Sequence, residues 1–349
     1  MTTELFQEKF LLDAIKKIFI SYGSSESEAL LVAETLISSS LMGLDSHGIL
    51  RVPQYVESIK NGQIVPGSKI EVIEETNNTA VVNVNWNFGQ VGARFAAEIA
   101  LKKALSDNIS CVILKKSNHL GRLGSYTEYI ANNGLIGLAM CSSLGAGHWI
   151  APWGGSEGRL ATNPISFAAP TKKNPILVDI STSVISEGKI RLIRNCGGEL
   201  PEGCILNAKG ETTTKTSDFY SKPMGTILPL GGIYYGYKGY FLSIIVEILS
   251  RVLSGEKYLE NSMGSMGNGL WIMALNIEAF MNKKKYFKEI NSLVEYLNSS
   301  HLSLGFSRIT IPGDREFDER KKRKKNGIPI DSKTWNRIKE IAKELKIFL

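Results

Sequence analysis

Apolar residues at Phe10, Leu11, Ala14, Ile15, Ile18 and Phe19 recur at helical spacing, and Tyr22-Gly23 supplies a stop where glycine can take positive φ. Ser25 and Glu28 form the capping-box pair that opens a second helix through Leu36, which Gly43 ends. The chain therefore begins as a helical hairpin. At Ile70 the period changes to alternation: Ile70, Val72 and then Ala80 to Val84 read as strands joined by a turn at Asn77-Asn78. Gly89 to Leu105 returns to helical spacing. Cys111 to Leu114, Ile136 to Cys141, Ile176 to Asp179 and Leu270 to Leu275 are short apolar runs of strand type, while Ser125 to Asn133 and Lys283 to Asn298 read as helices. Gly198 to Ser221 reads as a surface excursion, Tyr240 to Leu253 as the strongest buried helix, and Gly264 to Gly269 as a flexible link. Helices finish the chain after Pro312-Gly313 and Pro329. Helical and strand periods alternate throughout, which predicts a mixed α/β (α+β) fold.

Composition narrows the class. Hydrophobic residues are 43% and charged residues 21% of 349, the balance of a folded chain rather than a disordered one. A formal charge of +7 suits anionic ligands, yet the basic residues concentrate in Lys283 to Lys285 and Arg320 to Lys325. Neither run has interleaved aromatics or a reader motif, so both read as solvated helix faces and nucleic acid is not an expected partner. Cys111, Cys141, Cys196 and Cys204 are irregularly spaced with no paired histidines nearby, which predicts free thiols and no metal site. Glu4, Glu8 and Asp13 are wrong for a secretory or organelle leader, and Glu247 and Arg251 interrupt the longest apolar stretch, so no membrane span is expected. The expectation is a soluble cytoplasmic protein.

The densest chemistry lies in Asp45-Ser46-His47-Gly48-Ile49-Leu50-Arg51-Val52-Pro53-Gln54-Tyr55. If this stretch is helical, His47, Arg51 and Tyr55 share one face; Pro53 implies either a helix that begins near it or one from Ser46 that bends there. An imidazole there can move a proton to or from an alkoxide or amine, and a guanidinium can hold a carboxylate by two parallel hydrogen bonds. Further on, the 111–114 strand delivers the chain to Ser117-Asn118-His119-Leu120-Gly121-Arg122-Leu123-Gly124 and then a helix, a geometry that exposes backbone amides to an anion. No Gly-x-Gly-x-x-Gly fingerprint follows any expected strand, so a standard Rossmann domain is disfavoured. Ser181-Thr182-Ser183 after the 176–179 strand suits ribose or phosphate oxygens. Each residue also has a plain structural reading: His47 beside Asp45 and Ser46 as a hydrogen-bonded cap, Arg51 as a surface ion-pair residue, His119 as a loop anchor, Asp179 as a helix cap.

The order and spacing of these motifs resemble the malate/L-lactate/ureidoglycolate dehydrogenases, the type-2 lactate/malate dehydrogenase family, over nearly the whole chain. The resemblance rests on Asp45-Ser46-His47-Gly48 with Arg51 and Tyr55, on Ser117-Asn118-His119 with Gly121 and Gly124, and on Pro152-Trp153-Gly154-Gly155 with Thr162-Asn163-Pro164. It continues through Asp179, Ser181-Thr182-Ser183, Gly188-Lys189, Leu200-Pro201-Glu202-Gly203, Pro229-Leu230-Gly231-Gly232, Gly236-Tyr237-Lys238-Gly239 and Pro312-Gly313. It implies an oxidoreductase using NAD or NADP on small 2-hydroxy or 2-oxo acids, malate- or lactate-like, with cyclic imino acids, ureidoglycolate-type substrates, or a non-catalytic cofactor-binding homologue as alternatives. It implies a helical domain of residues 1–75 completed by 305–349, packed on a mixed-sheet, non-Rossmann cofactor domain of 76–304, and a homodimer.

By the same resemblance His47 is the proton carrier with Ser46 as its relay partner, and His119 is the competing acid/base. Arg51 clamps the substrate carboxylate, with Tyr55, Thr162, Gly188 and Lys189 beside the substrate. His119, Leu120, Gly121, Arg122, Leu123, Ser143, Asp179, Ile180, Ser181, Lys238, Gly313, Asp314 and Arg315 line the cofactor. Phe241 and Ser250-Arg251 stand where the family generally has small residues, and Asn207 and Lys209 where two aspartates are common.

Overall fold

The computed structural model describes residues 3–145, 147–256 and 267–349. Strand β1 (Thr3–Phe6) leads into α1 (Glu8–Ser21) and α2 (Glu26–Leu41). The Ser25 hydroxyl accepts from Glu28 N while the Glu28 carboxylate accepts from Ser25 N, so the expected capping box starts α2. Two short 3₁₀ turns, Asp45–His47 and Ile49–Arg51, precede α3 (Val52–Lys60). Of the two arrangements Pro53 allows, the helix that begins near it is the one formed, and the segment before it is broken at Gly48. A side chain there would meet Ser40 Oγ at 2.0 Å, and that same hydroxyl accepts from Ile49 N, so close packing on α2 sets the break.

Strands β2 (Glu71–Glu75) and β3 (Thr79–Asn83), helix α4 (Gly89–Asp107), β4 (Ile109–Lys115), α5 (Gly124–Asn132), β5 (Ile136–Ser143), β6 (Ile165–Ala169) and β7 (Ile176–Ile180) follow. Then come α6 (Glu187–Asn195), β8 (Ile205–Leu206), β9 (Thr212–Thr213), α7 (Thr216–Phe219), β10 (Thr226–Ile227) and α8 (Gly232–Glu247). The chain ends with β11 (Asn268–Leu275), α9 (Lys283–Asn298), α10 (Asp314–Asn326), β12 (Ile328–Asp331) and α11 (Ser332–Glu344). Of the expected link at Gly264 to Gly269, the part up to residue 266 lies outside the described residues; Asn268 and Gly269 already belong to β11.

One sheet of order β2-β3-β4-β11-β5-β6-β7 organises the centre. Only β3 and β4 run parallel, joined across α4; every other neighbouring pair is antiparallel. A doubly wound nucleotide fold needs a mostly parallel sheet, so the sheet itself excludes the Rossmann arrangement. Ala93, Ala96, Ala97, Ala100 and Ala104 let α4 lie flat on it, and the small side chains bring helix and strands into one core with Val82, Val112, Leu114 and Ile272.

A second core joins both chain ends: Leu11, Ile15, Phe19, Val32 and Leu36 pack with Ile328, Ile330, Trp335 and Ile338, and β1 pairs antiparallel with β12. Two expectations change. Gly198 to Ser221 is not a loose excursion, because it buries Leu200, Cys204, Ile205 and Phe219 in a core shared with Ile150, Leu160, Ile190 and Ile227. Helix α8, which continues as a π-helical segment Ile248–Val252, is buried on one side only. Tyr234, Tyr235, Phe241, Ile245, Ile248 and Val252 are exposed by 44% or more. No helix among the described residues is long and apolar enough to cross a membrane, and none of their His, Cys, Asp and Glu side chains cluster as a metal site.

Candidate active site

The loop after β4 is fixed before it is functional. Asn118 Nδ2 donates to the carbonyls of Gln63, Trp86 and Asn87 at 2.7–3.1 Å, which ties the loop to the start of α4. Gly89 permits that approach: a side chain there would collide with the carbonyl oxygens of Asn118 and His119 at 2.2 and 2.4 Å. From the other side, Asn268 of β11 accepts from Leu120 N and donates to Ser142 O, linking the loop to the end of β5. His119 thus stands on a rigid base.

His119 faces His47. The two imidazoles lie parallel, 5.5 Å between centroids and 7° between planes. Behind His119, the Tyr55 hydroxyl is 2.7 Å from Nδ1 and accepts a hydrogen bond of 2.6 Å from Gln90 Nε2. With that lone pair occupied, the phenol directs its one proton to Nδ1, which makes Nδ1 the acceptor and leaves the proton of neutral His119 on Nε2. His119 is thereby held as a hydrogen-bond donor. His47 is unrestrained in this sense, since its Nδ1 is buried with no hydrogen-bond partner among the described residues.

Burial, reinforced by the charges of Arg51 and Arg122, depresses the His47 pKa to about 4. His119 is also held well below the ordinary value, by burial and then by Arg51 and His47. Both rings are neutral at pH 7, and among the described residues no hydrogen bond fixes the tautomer of His47. Tyr55, buried and pushed up to about 12 by desolvation, stays a phenol.

A cavity of about 450 Å³ lies over this pair. Ser46, His47, Arg51, His119, Ser143, Thr162 and Gly188 line it, so the structure brings these residues together. Arg51 turns back to give Nε to Ser46 O at 2.7 Å and Nη1 to Gln54 at 2.5 Å, leaving Nη2 without a protein partner among the described residues. Burial lowers the Arg51 pKa, so an incoming carboxylate meets a poorly solvated guanidinium. Ser46 contributes a carbonyl to Arg51, and Tyr55 stands behind His119 rather than on the wall. Lys189 is exposed and lines no part of this cavity; its backbone N–H is capped by Ser186.

Arg122, Asp179, Ile180, Gly313 and Arg315 line a separate cavity of about 250 Å³. The Asp179 carboxylate accepts from Gly124 N at 2.7 Å, so the chain's own acid occupies the start of α5 where the sequence suggested room for an anion. Desolvation raises the Asp179 pKa against the pull of Arg122. Arg122 is buried in an ion pair with Glu128, which Arg320 shares at 3.0 Å, while Arg122 Nη1 has no partner among the described residues.

Leu120 and Leu123 are in the sheet core, and Gly121 takes φ +73° in the loop between them. Ser181 donates to Ser183 O, and Asp314 accepts from Ile311 N. Lys238 lies on the exposed side of α8 over Tyr235 and Tyr237 and borders neither cavity. Gln54, Gln90, Trp149, Glu187, Arg191 and Asn268 are not singled out by the sequence; Gln90 and Asn268 meet partners remote in the chain, whereas Gln54 bonds Arg51 only three residues away. Of the basic run, Arg320 and Arg323 do not simply face solvent: Arg320 pairs with Glu128 at 3.0 Å, and Arg323 bonds Asp45, the first residue of the site segment, at 2.6 Å.

The family described as malate/L-lactate dehydrogenase matches residues 6–339. The chain belongs to that family. It is 37% identical over 344 residues to the malate dehydrogenase of Pyrococcus horikoshii, covering 97% of this chain and 94% of that one. It is 34% identical to the L-sulfolactate dehydrogenase of Methanocaldococcus jannaschii, over 97% and 95% of the two chains. The crystal structure of malate dehydrogenase from Entamoeba histolytica superposes with a TM-score of 0.94 at 28% identity, over 100% of this chain and 99% of that one. The family explains why a hydride-transfer protein lacks the Gly-x-Gly-x-x-Gly motif, and it makes this chain an oxidoreductase.

Proposed function

We propose that this dehydrogenase interconverts small 2-hydroxy and 2-oxo acids, malate- or lactate-like, using NAD or NADP, as a cytoplasmic homodimer. The observation that carries the chemical part is the joint placement in one cavity of a His47 ring that no hydrogen bond fixes and an incompletely satisfied Arg51, opposite a donor-locked His119. When bound, the nicotinamide supplies or accepts the hydride at C2. Arg51 holds the substrate carboxylate and so orients C2. His47 takes the hydroxyl proton in oxidation and returns it in reduction, its depressed pKa leaving the ring unprotonated at neutral pH. His119 donates a hydrogen bond from Nε2 without changing protonation.

The residues fit a dinucleotide in two respects. The Asp179 cavity offers a carboxylate for a ribose hydroxyl, and Arg122 Nη1 is buried there without a partner. Exposed Arg315, on the same cavity, is the cation a 2′-phosphate would meet. Absorbance loss of each reduced nicotinamide with a panel of 2-oxo acids tests the reading; oxidation with at least one acid is expected, and none with any acid and either cofactor refutes it. A second copy covers the apolar face of α8, a reading supported by the run of exposed aromatic and branched side chains there.

A further inference from the structure

The His47 cavity also holds two charges of opposite sign that are not equally held. Glu187, the first residue of α6, lines it with Arg51 and Arg191. Tyr220 donates to Glu187 Oε1 at 2.8 Å, and the Glu187 side chain is only 16% exposed. Arg191 lies 3.7 Å from the other carboxylate oxygen, beyond hydrogen-bond reach, and is 59% exposed. A solvated cation on a long side chain is screened by water and salt, whereas an anchored, desolvated anion is not. Both residues are close enough to Arg51 to act on its charge, in opposite directions. The interior of the cavity therefore presents one firm cation, Arg51, and one firm anion, Glu187.

From this arrangement we infer that Glu187 sets the charge at the substrate's far end: the cavity takes an acid with one carboxylate and a neutral, hydrogen-bond-donating tail, and disfavours a second anionic group. This rests on the cavity being the 2-oxo acid site. A tail hydroxyl can donate to Glu187, while a second carboxylate or sulfonate would be repelled by it. Malate and sulfolactate, the acids in two relatives' names, both carry that second anion.

The test combines binding and turnover. Calorimetry compares oxamate, a monoanion, with tartronate, a dianion, on protein holding reduced nicotinamide. Absorbance assays compare hydroxypyruvate, pyruvate and oxaloacetate. In the native chain kcat/KM is highest for hydroxypyruvate and lowest for oxaloacetate. Glu187→Gln raises the oxaloacetate-to-pyruvate ratio at least about tenfold, the scale of removing one poorly screened charge. Arg191→Gln moves the same ratio less than about threefold, as expected of an exposed charge. A native preference for oxaloacetate that Arg191→Gln abolishes and Glu187→Gln leaves unchanged overturns the inference. Glu187-dependent discrimination between oxamate and tartronate without any turnover would sink the hydride-transfer reading and leave the charge assignment standing. Equal discrimination in the native and Glu187→Gln proteins overturns the assignment whether or not turnover occurs.

Discussion

Tyr55→Phe isolates one atom of the site. The ring stays in its core, 1% exposed and packed near Phe19 and Phe88, so no cavity opens. What is lost is the hydroxyl that accepts from Gln90 Nε2 and donates to His119 Nδ1. Gln90 Oε1 already lacks a partner, so the variant leaves that buried amide with no side-chain hydrogen bond among the described residues. Orphaning two buried polar groups costs about 1–3 kcal/mol each, or about 4 kcal/mol together at mid-range. With an unfolding entropy of roughly 2.1 cal/mol/K per residue, this chain moves about 1–2 °C per kcal/mol, so the Tm should fall by about 5 °C. Once unpinned, His119 can take either tautomer, and kcat for 2-oxo acid reduction should drop while the pH dependence assigned to His47 stays. Scanning calorimetry and steady-state pH profiles read both effects. A Tm within about 1 °C of the native value, with unchanged kcat, would refute the hydrogen-bond direction argued for Tyr55.

Arg51→Gln removes a charge-assisted contact to the substrate carboxylate worth about 1.5–3 kcal/mol, so kcat/KM should fall roughly 10- to 100-fold, seen mainly in KM by steady-state kinetics. Stability should decline on acidification: His47 titrates near 6.5 unfolded and about 4 folded, so the unfolded chain binds the extra proton between these values. The loss sets in below pH 6.5, is complete by about pH 4, and amounts to about 3 kcal/mol, measurable by urea unfolding at several pH values. His47→Gln should flatten part of that slope. Phe241→Glu places a charge on the exposed face of α8 and should convert a dimer to monomer in sedimentation velocity.

Local chemistry was readable from the chain wherever its causes are local. Ser25 and Glu28 announce α2 because both partners of the capping box lie within one turn. The short apolar runs announce β4, β5 and β7, and the missing glycine fingerprint agrees with a sheet that has one parallel pair. His47, Arg51 and His119 were singled out as chemistry and do converge.

Pro53 left open whether a helix starts near it or bends there, and the break before it comes from Gly48 packing on Ser40 and from Ile49 N donating to Ser40 Oγ nine residues away, contacts that no periodicity reveals. Asp179 could be read as a cap, but not as the cap of α5, whose first residue lies fifty-five positions earlier. Helix α8 read as buried because an apolar stretch looks the same in sequence whether all of it or only one face is covered. Glu187 gave no such signal, since its place comes from sharing a cavity with Arg51 and Arg191 while Tyr220 holds it from behind.

The most direct test is the pH dependence of 2-oxo acid reduction in the native protein, His47→Gln and His119→Gln. Reduction consumes a proton, so log kcat/KM should fall with rising pH in the native enzyme. In His47→Gln the rate should be roughly 10²–10⁴ lower and that pH limb absent, while His119→Gln, though slower, retains it. A His47→Gln protein with native rate and profile, alongside a His119→Gln protein that has lost both, would transfer the proton to His119 and contradict the mechanism.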